Sequence, residues 1–491
     1  MTSLSETSIL SGSSGVTSGY QIDQSIRFND DDSAYMHRTP SSGGNRDKWT
    51  WSAWVKRGDF LRGGTANHTM FFAGADSDTN NYSQILINGG SGSVTTTYFK
   101  FNSYTSGSAV ANFATNATFN DVAAWYHFVV VYDSGNAVET NRVQMYVNGV
   151  RITSFGTATY PSLNADSYVN HTVKHSIGRR NSDSSRYWDG YMTEIYLLDG
   201  YAYGPSYFGE FKEDTGIWIP KAYEGSYGTN GFHIDGRDSS DLGDDESGQG
   251  NDYATSGLAT HDQMADTPTN NFAVWNLNDS HSTPNWTASN GNLDLSWNGA
   301  NYTNHLFSTL SMPSSGKWYF EIEVDSDSSQ IIYYASMRIG IMRDDFNAVM
   351  VEREYSGVNL TDASTDPEIL VQIHSNARVD GLGTGIANAL SAMQAGDVLN
   401  FARSGAKLWI GKNGTYYNSG DPGADSNPTL SALPLQGFRA NIHWTSTSAS
   451  HGTMVLKTFF GADKSIGSGT GFNNTVPTGF KALNSFNLGD N

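Results

Sequence analysis

Cysteine is absent from the chain, which excludes disulfide bonds, thiolate metal ligands and cysteine nucleophiles. Secreted eukaryotic proteins of this size usually carry disulfides, so the absence argues against that origin. Long apolar runs are also missing, and no window approaches the roughly 20 apolar residues that a membrane-spanning helix requires. The first 20 residues are rich in Ser, Gly and Thr and lack the basic and apolar regions of a signal peptide.

Positive charge is scarce, because 29 Lys and Arg residues stand against 49 Asp and Glu residues, giving a net charge of −20. Nucleic-acid binding needs clustered cations, so the balance argues against a nucleic-acid partner. The remaining surface is polar but mostly uncharged, with 13% aromatic residues. A surface protein that lacks an export signal would be explained if the protein is assembled in the cytoplasm into a particle, such as a virion, and released by lysis.

Two hairpin patterns stand out in what the sequence contains. Residues 126–132 are aromatic and β-branched, which favours a strand, and residues 143–147 alternate between apolar and polar. Asn148-Gly149 then fits a type I′ turn, which requires positive φ at both residues. The same pattern recurs in residues 399–417. Each pattern predicts the centre of an antiparallel sheet, and the pair predicts two β domains.

Short strands separated by loops of Gly, Ser, Asn and Asp continue along most of the chain. Residues 48–57 (KWTWSAWVKR) alternate in polarity, and a parity change near Trp54 indicates a β-bulge. Many strands at this spacing are typical of a β-sandwich. We therefore predict an all-β protein with two antiparallel sandwich domains.

Composition sets the predicted domain boundaries. We expect, in order, a flexible arm or anchor, a first sandwich, an irregular acidic linker and a second sandwich, over residues 1–20, 21–203, 204–275 and 276–491. Within the linker, the run from Asp235 to Asp252 is strongly acidic. It is either a solvated connector or a Ca²⁺-binding loop, because hard cations take oxygen ligands. Its spacing does not reproduce an EF-hand loop, which favours the connector.

Three motifs of the first domain occur in a recognisable order: AYMHRTPSSGGNRDKWTWSAWVKRG, then WYHFVVVYD followed by RVQMYVNGVRI, then HSIGRRN followed by WDGYMTEIYLLDGYA. The order resembles the concanavalin A-like jelly roll of the laminin G-like type, over roughly Gln21 to Tyr203. The resemblance implies a sandwich whose loops carry the ligand surface. Some laminin G-like domains hold a cation, and here the corresponding candidates are Asp76, Asp78 and Asn80, with Ca²⁺ as the ion.

Four motifs of the second domain resemble a SPRY-like sandwich over roughly Ala273 to Asn487. They are GKWYFEIEV, RIGIM, GDVLNFARSGAKLWIGKNGTYY and TGFNNTVPTGFKALN. One departure follows Gly396-Asp397, where the family usually has a second glycine. The linker between the two domains resembles a segment of structural proteins of marine bacteriophages, which implies a virion context.

The sequence lacks the common catalytic patterns. The glucanases that share this fold use carboxylates on one strand face, whereas Glu194 stands alone in its strand and Glu321 with Glu323 is better explained as an exposed strand face. The chain has no H-x-H, H-E-x-x-H or G-x-S-x-G pattern. Its glycine-rich runs lack the lysine and helix of a phosphate loop. We therefore predict that the protein is not an enzyme.

Ligand binding remains, and sandwich loops are its usual location. Sugars are held by aromatic faces beside fixed polar groups, so loops that combine the two are the candidates. In the first domain these residues are Arg179, Arg180, Asp183, Arg186 and Tyr187. In the second domain, the SPRY resemblance points to Arg343, Asp344, Phe346 and Tyr355. An ordinary solvated loop is the alternative explanation for each group.

Together these observations predict a bacteriophage virion surface protein, a tail or capsid fibre that adheres to host surface glycans or receptors. Its partners would be other virion proteins and further copies of itself, with no membrane insertion. A capsid-decoration protein without receptor binding is one alternative. A polysaccharide-degrading enzyme that lacks the obvious motif is another.

Overall fold

The computed structural model describes residues 19–58, 67–88, 97–182, 186–279, 286–297, 304–327, 338–345, 368–372, 379–381, 384–386, 389–444 and 454–489. They fall into two compact units, with unit 1 ending at Asn270 and unit 2 continuing from Asn271. Both units are nearly all β, which confirms the predicted fold class. The predicted arm lies outside the described residues except for Gly19 and Tyr20. No helix in the described ranges is long and apolar enough to cross a bilayer.

Unit 1 is built from short antiparallel strands. In chain order they are β1 (Ser25–Phe28), β2 (Tyr35–Arg38), β3 (Lys48–Arg57), β4 (Asn67–Gly74), β5 (Tyr82–Asn88), β6 (Tyr98–Thr105), β7 (Ser108–Thr118), β8 (Trp125–Asp133), β9 (Val143–Val147), β10 (Val150–Arg151), β11 (Phe155–Thr159), β12 (His175–Ile177), β13 (Gly190–Asp199), β14 (Gly209–Phe211), β15 (Trp218–Pro220), β16 (Phe232–Ile234), β17 (Ala254–Ser256) and β18 (Gln263–Met264).

Two large sheets organise these strands. Sheet I has the order β10-β9-β8-β3-β13-β1-β18, with β16 also paired to β13. Sheet II has the order β11-β7-β6-β5-β4-β12-β2-β17, and β14 pairs with β15 separately. The predicted hairpin joins β9 to β10, and its turn residues Asn148 and Gly149 have φ of 47° and 78°. Both values lie in the region that a type I′ turn requires.

The core of unit 1 combines large side chains from both sheets. Trp49 of sheet I stacks on Tyr132 with ring centroids 5.3 Å apart and meets Phe101 of sheet II edge-on at 5.5 Å. All three side chains are fully buried. Alternation along each strand turns the apolar residues inward, so the other face of each sheet is available for different chemistry.

Residues 204–270, most of the predicted linker, are built into unit 1. β16 pairs with β13, β17 with β2 and β18 with β1. Within the acidic run, the Asp245 carboxylate accepts a hydrogen bond from the backbone N–H of His233 at 2.9 Å. The segment therefore completes the two sheets and does not connect two finished domains. The low apolar content of this range did not indicate these strands, because strands of two or three residues need few apolar side chains.

In its described residues, unit 2 contains β19 (Trp275–Asn276), β20 (Trp286–Ser289), β21 (Asp294–Trp297), β22 (Asn304–Met312), β23 (Lys317–Asp327), β24 (Arg338–Arg343), β25 (Glu368–Gln372), β26 (Val379–Gly381), β27 (Thr384–Ile386), β28 (Val398–Ser404), β29 (Lys407–Lys412), β30 (Thr415–Tyr416), β31 (Phe438–Trp444), β32 (Met454–Phe459), β33 (Lys481–Ala482) and a short helix, α1 (Ser485–Gly489).

These strands form sheet III, in the order β19-β22-β31-β24-β25-β26-β27, and sheet IV, in the order β20-β21-β32-β23-β28-β29-β30. β33 runs parallel to β23 at the edge of the ladder. The second predicted hairpin is present, because β28 pairs with β29 and β29 with β30. Asn413 and Gly414 have φ of 51° and 77° at its turn. Unit 2 is therefore a two-sheet β structure, and its SPRY-like character stays a prediction.

A buried histidine gives unit 1 a predictable response to acid. On β8, the Nε2 atom of His127 lies 2.8 Å from Ser52 Oγ, and the Trp218 indole N–H donates to Nδ1 at 3.0 Å. Burial lowers the pKa of His127 to about 3, whereas an unfolded histidine has a pKa near 6.5. Between these values the unfolded chain binds the extra proton, so stability falls as the pH falls.

His127→Gln should therefore weaken the acid sensitivity of unit 1. Glutamine keeps polar atoms near Ser52 and Trp218 but has no proton to gain. From pH 7.5 to pH 5, we expect the variant to lose about 2 kcal/mol less unfolding free energy than the wild type. Urea unfolding monitored by hydrogen exchange of peptides from β3 and β8 measures the difference. Equal losses in the two proteins would show that His127 does not titrate in this way.

Candidate functional site

A continuous row of side chains crosses the outer face of sheet II. The strand registers align its members, one from each of six neighbouring strands, β2, β12, β4, β5, β6 and β7. In that order they are His37, Ser176, Phe72, Gln84, Asn102 and Asn112. Their strand neighbours Phe71, Ile85 and Phe101 belong to the apolar core. Since successive side chains of a strand point to opposite faces, the row points away from the core.

Three of these residues form what we call the amide row: Gln84, Asn102 and Asn112. Although they lie on the outer face, Gln84 is only 4% exposed and Asn102 only 2%. Within the described residues, their side-chain carbonyl oxygens have no hydrogen-bond partner. A buried polar group without a partner costs about 1–3 kcal/mol, and native structures contain few of them. Three such oxygens at adjacent register positions define the candidate site of unit 1.

Aromatic rings adjoin the amide row on the same face. Gly74, Tyr82 and Tyr104 occupy the next register position across β4, β5 and β6. The Tyr82 ring stacks on Tyr104 at 5.3 Å and on Phe72 at 5.6 Å between centroids. Phe72 and Tyr82 are buried, and Tyr104 is the half-buried ring of this stack, so Tyr104 supplies the accessible aromatic surface beside the amide row.

Two of the predicted arginines pack over these and neighbouring rings. The Arg180 guanidinium lies 4.6 Å from the Tyr82 ring centroid, and its side chain is largely buried. Arg179 lies over Tyr35 at 4.7 Å and over Tyr187 at 5.4 Å. Such cation–π contacts hold a guanidinium in place, and Arg180 Nε also donates to Ser182 Oγ at 2.5 Å.

The charge on this face is positive, in contrast to the chain as a whole. Burial, and then the charge of Arg186, lowers the pKa of Lys100 on β6. Burial, and then the charge of Lys174, lowers the pKa of His37 on β2. Lys100 alternates with Phe99 and Phe101 of the core and so shares the outer face with Asn102. Cations therefore gather around the amide row.

The structure brings together four of the five residues predicted for this site. Arg179, Arg180, Arg186 and Tyr187 all lie at the outer face of sheet II, whereas Asp183 lies outside the described residues. The amide row was not predicted from the sequence, although each member sits at a regular alternate position of a strand. An amide in a strand is common, and only the register of distant strands shows that these three align.

The predicted cation site has other partners for its carboxylates. Asp76 pairs with Lys174 at 2.5 Å. Asp78 accepts hydrogen bonds from the backbone N–H groups of Asn80 and Asn81 at 2.8 Å and 3.0 Å. These bonds, those to Asn80 foremost, lower the pKa of Asp78. Asp78 thus closes its own turn, and the two carboxylates point to different partners.

The candidate site residues of unit 2 also contact separate partners. Arg343 pairs with the exposed Asp345, with its Nε 3.1 Å from Oδ1. Asp344 accepts a hydrogen bond from Ser311 Oγ at 2.7 Å, which ties the end of β24 to β22. Phe346 and Tyr355 lie outside the described residues. The described members, Arg343 and Asp344, therefore have structural partners within unit 2.

Unit 1 has a concanavalin A-like fold built from two antiparallel sheets. Residues 28–201 match the Laminin_G_3 family, described as the concanavalin A-like lectin/glucanases superfamily. This match covers the strands that carry the amide row. No curated protein matches the chain.

Solved structures similar to the chain have low sequence identity. The mouse laminin α1 chain, domains LG4-5, is 9% identical with a TM-score of 0.27, covering 91% of both chains. A heptameric SAP-like pentraxin from Limulus polyphemus is 11% identical with a TM-score of 0.24, covering 38% of this chain and 80% of the pentraxin. Domain 4 of AbnA, an arabinanase from Geobacillus stearothermophilus in complex with arabinotriose, is 19% identical with a TM-score of 0.22, covering 33% and 65%.

Proposed function

We propose that unit 1 binds glycans at the outer face of sheet II and that the chain is an adhesin on the surface of a bacteriophage particle. The amide row carries the first part of the proposal. Sugar hydroxyls donate hydrogen bonds, and three buried carbonyl oxygens without partners in the described residues are acceptors of the required kind. Tyr104, stacked on Tyr82, supplies the aromatic surface beside them.

The composition of this face favours binding over hydrolysis. A glycosidase needs two carboxyl groups flanking the bond that it breaks. None of the amide-row residues or the adjoining tyrosines is acidic, and the described charges that act on Tyr82 and Lys100 are those of Arg180 and Arg186. Asp76, near His37, is paired with Lys174. We therefore propose a lectin-like role, in which the glycan is held and released unchanged.

The virion context rests on the sequence. It comes from the resemblance of residues 204–275 to a segment of phage structural proteins and from the acidic and cysteine-free composition. In this proposal the chain assembles with other virion proteins and further copies of itself, as a tail or capsid fibre. The released particle would then present unit 1 to host surface glycans or receptors.

A glycan array probed with the full-length protein tests the binding proposal. We expect binding to at least one bacterial or algal polysaccharide and no release of reducing ends during incubation. Release of reducing ends would replace the proposal with the enzyme alternative.

Immunogold labelling of intact particles tests the virion proposal separately. Label on a tail or capsid fibre, together with glycan binding, is the expected result. Stoichiometric capsid association without binding to any glycan or host cell would favour the decoration alternative, and absence of the protein from particles would contradict the virion context.

A further inference from the structure

A second polar cluster lies on the outer face of sheet I, whereas the amide row belongs to sheet II. β13 and β16 pair with Tyr196 opposite His233 and Ile195 opposite Ile234. Ile195 and Ile234 belong to the apolar core, so the alternate residues face outward. They include Glu194 and Tyr196 on β13, His233 on β16 and Asp235 directly after it.

A β-bulge directs Glu194 into this cluster. The pairing of β13 with β3 shifts register between Thr193 and Tyr196, and Glu194 has a φ of 50°. Positive φ is uncommon for a residue other than glycine, and bulges often re-aim a side chain. The sequence pattern predicted a bulge near Trp54 of β3. The structure instead has the irregularity in the partner strand β13, directly after Thr193, which pairs with Trp54.

We propose that Glu194, His233 and Asp235 form a binding site for one zinc ion. One ligand atom from each of the three side chains lies within 4.8 Å of the other two. The His233 Nε2 atom is 3.3 Å from Glu194 Oε2. Ligand atoms that share a zinc ion at about 2.0–2.2 Å lie roughly 3.0–3.5 Å from each other, so the closest pair already has the spacing of coordination.

An independent observation points to a ligand at this place. His233 is only 7% exposed, yet its Nε2 atom makes no hydrogen bond to the described residues. The ring cannot easily turn away, because it stacks on Tyr196 with centroids 4.2 Å apart and planes within 8°. A buried imidazole nitrogen that meets the Glu194 carboxylate at 3.3 Å without the geometry of a hydrogen bond, and lies within 4.8 Å of an Asp235 oxygen, is placed as a ligand of a transition metal would be.

The ligand atoms of the three side chains and the charge of the two carboxylates indicate which ion would bind. Imidazole nitrogen suits zinc and is not a ligand that Ca²⁺ or Mg²⁺ prefers. Glu194 and Asp235 are 3% and 2% exposed, so their two negative charges lie in a poorly solvated place, where isolated charges are costly. Arg237 already offsets part of this charge through its contact with Asp235 Oδ2 at 2.9 Å, and a divalent cation would offset the rest.

Existing hydrogen bonds would hold the ligands in position. Tyr20 donates to Glu194 Oε1 at 3.0 Å, and Tyr196 donates to Oε2. The Arg237 side chain donates to Asp235 Oδ2 at 2.9 Å, and its backbone N–H donates to Oδ1 at 2.8 Å. Each carboxylate oxygen has two lone pairs, so a coordination position remains on every one. Partners of this kind orient metal ligands and raise affinity.

Zinc titration of the EDTA-treated full-length protein tests the proposal. We expect one zinc ion per chain by calorimetry and by elemental analysis. A zinc concentration of 100 times Kd should raise the Tm of unit 1 by about 5–10 °C. Zinc K-edge absorption of the wild type should show one imidazole nitrogen with oxygen ligands. Less than one zinc ion per chain, or Ca²⁺ binding in preference to zinc, would overturn the assignment.

His233→Phe is the sharpest variant, because phenylalanine keeps the stacking on Tyr196 and removes the nitrogen. We expect roughly 100-fold weaker zinc binding or more, since loss of a ligand exceeds the effect of losing its outer partners. His261→Phe, at a histidine in unit 1 outside the cluster, is the matched control and should bind zinc like the wild type. Retained tight binding in His233→Phe would refute the proposal. The glycan array is independent of this result, so the two proposals can fail separately.

Discussion

Lys56→Met is expected to lower the unfolding free energy of unit 1 by about 3–5 kcal/mol, the usual cost of leaving one partner of a buried ion pair without the other. Lys56 Nζ lies 2.7 Å from Asp266 Oδ2, and both side chains are fully buried. Burial lowers the pKa of Lys56, and Asp266 opposes that shift. Trp125 also donates its indole N–H to Asp266 Oδ1 at 2.9 Å. The pair links β3 to the end of the segment that the sequence analysis treated as linker.

A second variant separates the ion pair from the packing around it. In Lys56→Met/Asp266→Asn, neither buried charge remains and Trp125 keeps a carbonyl acceptor, so we expect most of the lost stability to return. Lys48→Met is the matched control on the same strand. Its partner Asp133 is 3.8 Å away in a pair that is partly exposed, and such pairs contribute about 0–1 kcal/mol. Urea unfolding monitored by hydrogen exchange of β3 peptides would show both effects, and equal losses in the two single variants would contradict the account.

Glu321→Ala is expected to destabilise unit 2 by about 3 kcal/mol or more. The buried carboxylate of Glu321 accepts hydrogen bonds from the backbone N–H groups of Asn473 and Asn474, at 2.7 Å and 3.0 Å. Tyr319 Oη donates to it at 2.5 Å, and Asn400 Nδ2 at 3.3 Å. Alanine would leave several donors without an acceptor, and each buried one costs about 1–3 kcal/mol.

Glu323→Ala provides the control for this prediction. Glu323 lies two residues further along β23 and accepts an exposed hydrogen bond from Asn473 Nδ2 at 3.2 Å. We expect a change within about 1 kcal/mol. Urea unfolding monitored by hydrogen exchange of β23 and β32 peptides measures both variants. A small effect of Glu321→Ala would mean that the loop around Asn473 rearranges to find other acceptors.

Local patterns predicted the parts of the fold that depend on neighbours in sequence. Alternation and the Asn-Gly pairs placed both hairpins, since strand period and turn conformation are set within a few residues. The edge strands between residues 204 and 270 were missed because their apolar content is low and their partners β1, β2 and β13 lie far earlier in the chain. Pairing of that range cannot be read from local composition.

The candidate site was likewise predictable only where it depends on residues close together in the sequence. Arg179, Arg180, Arg186 and Tyr187 could be proposed from their composition as a loop, and they lie where the proposed ligand surface is. The amide row depends on the register of strands that approach from different parts of the sequence. Glu194 was interpreted as solitary because His233 and Asp235 follow it by about 40 residues, and only the pairing of β13 with β16 unites them.

Calorimetry on a glycan identified by the array, with the wild type and Gln84→Met/Asn102→Leu, tests the central claim most directly. The substitutions keep volume and remove two carbonyl acceptors, so we predict affinity about 10–100-fold weaker. Thermal stability should be unchanged or higher, because two buried polar groups without partners in the described residues are removed. Gln144→Met, on sheet I, should bind like the wild type. Unchanged affinity in the double variant would contradict the claim that unit 1 binds glycans through the amide row.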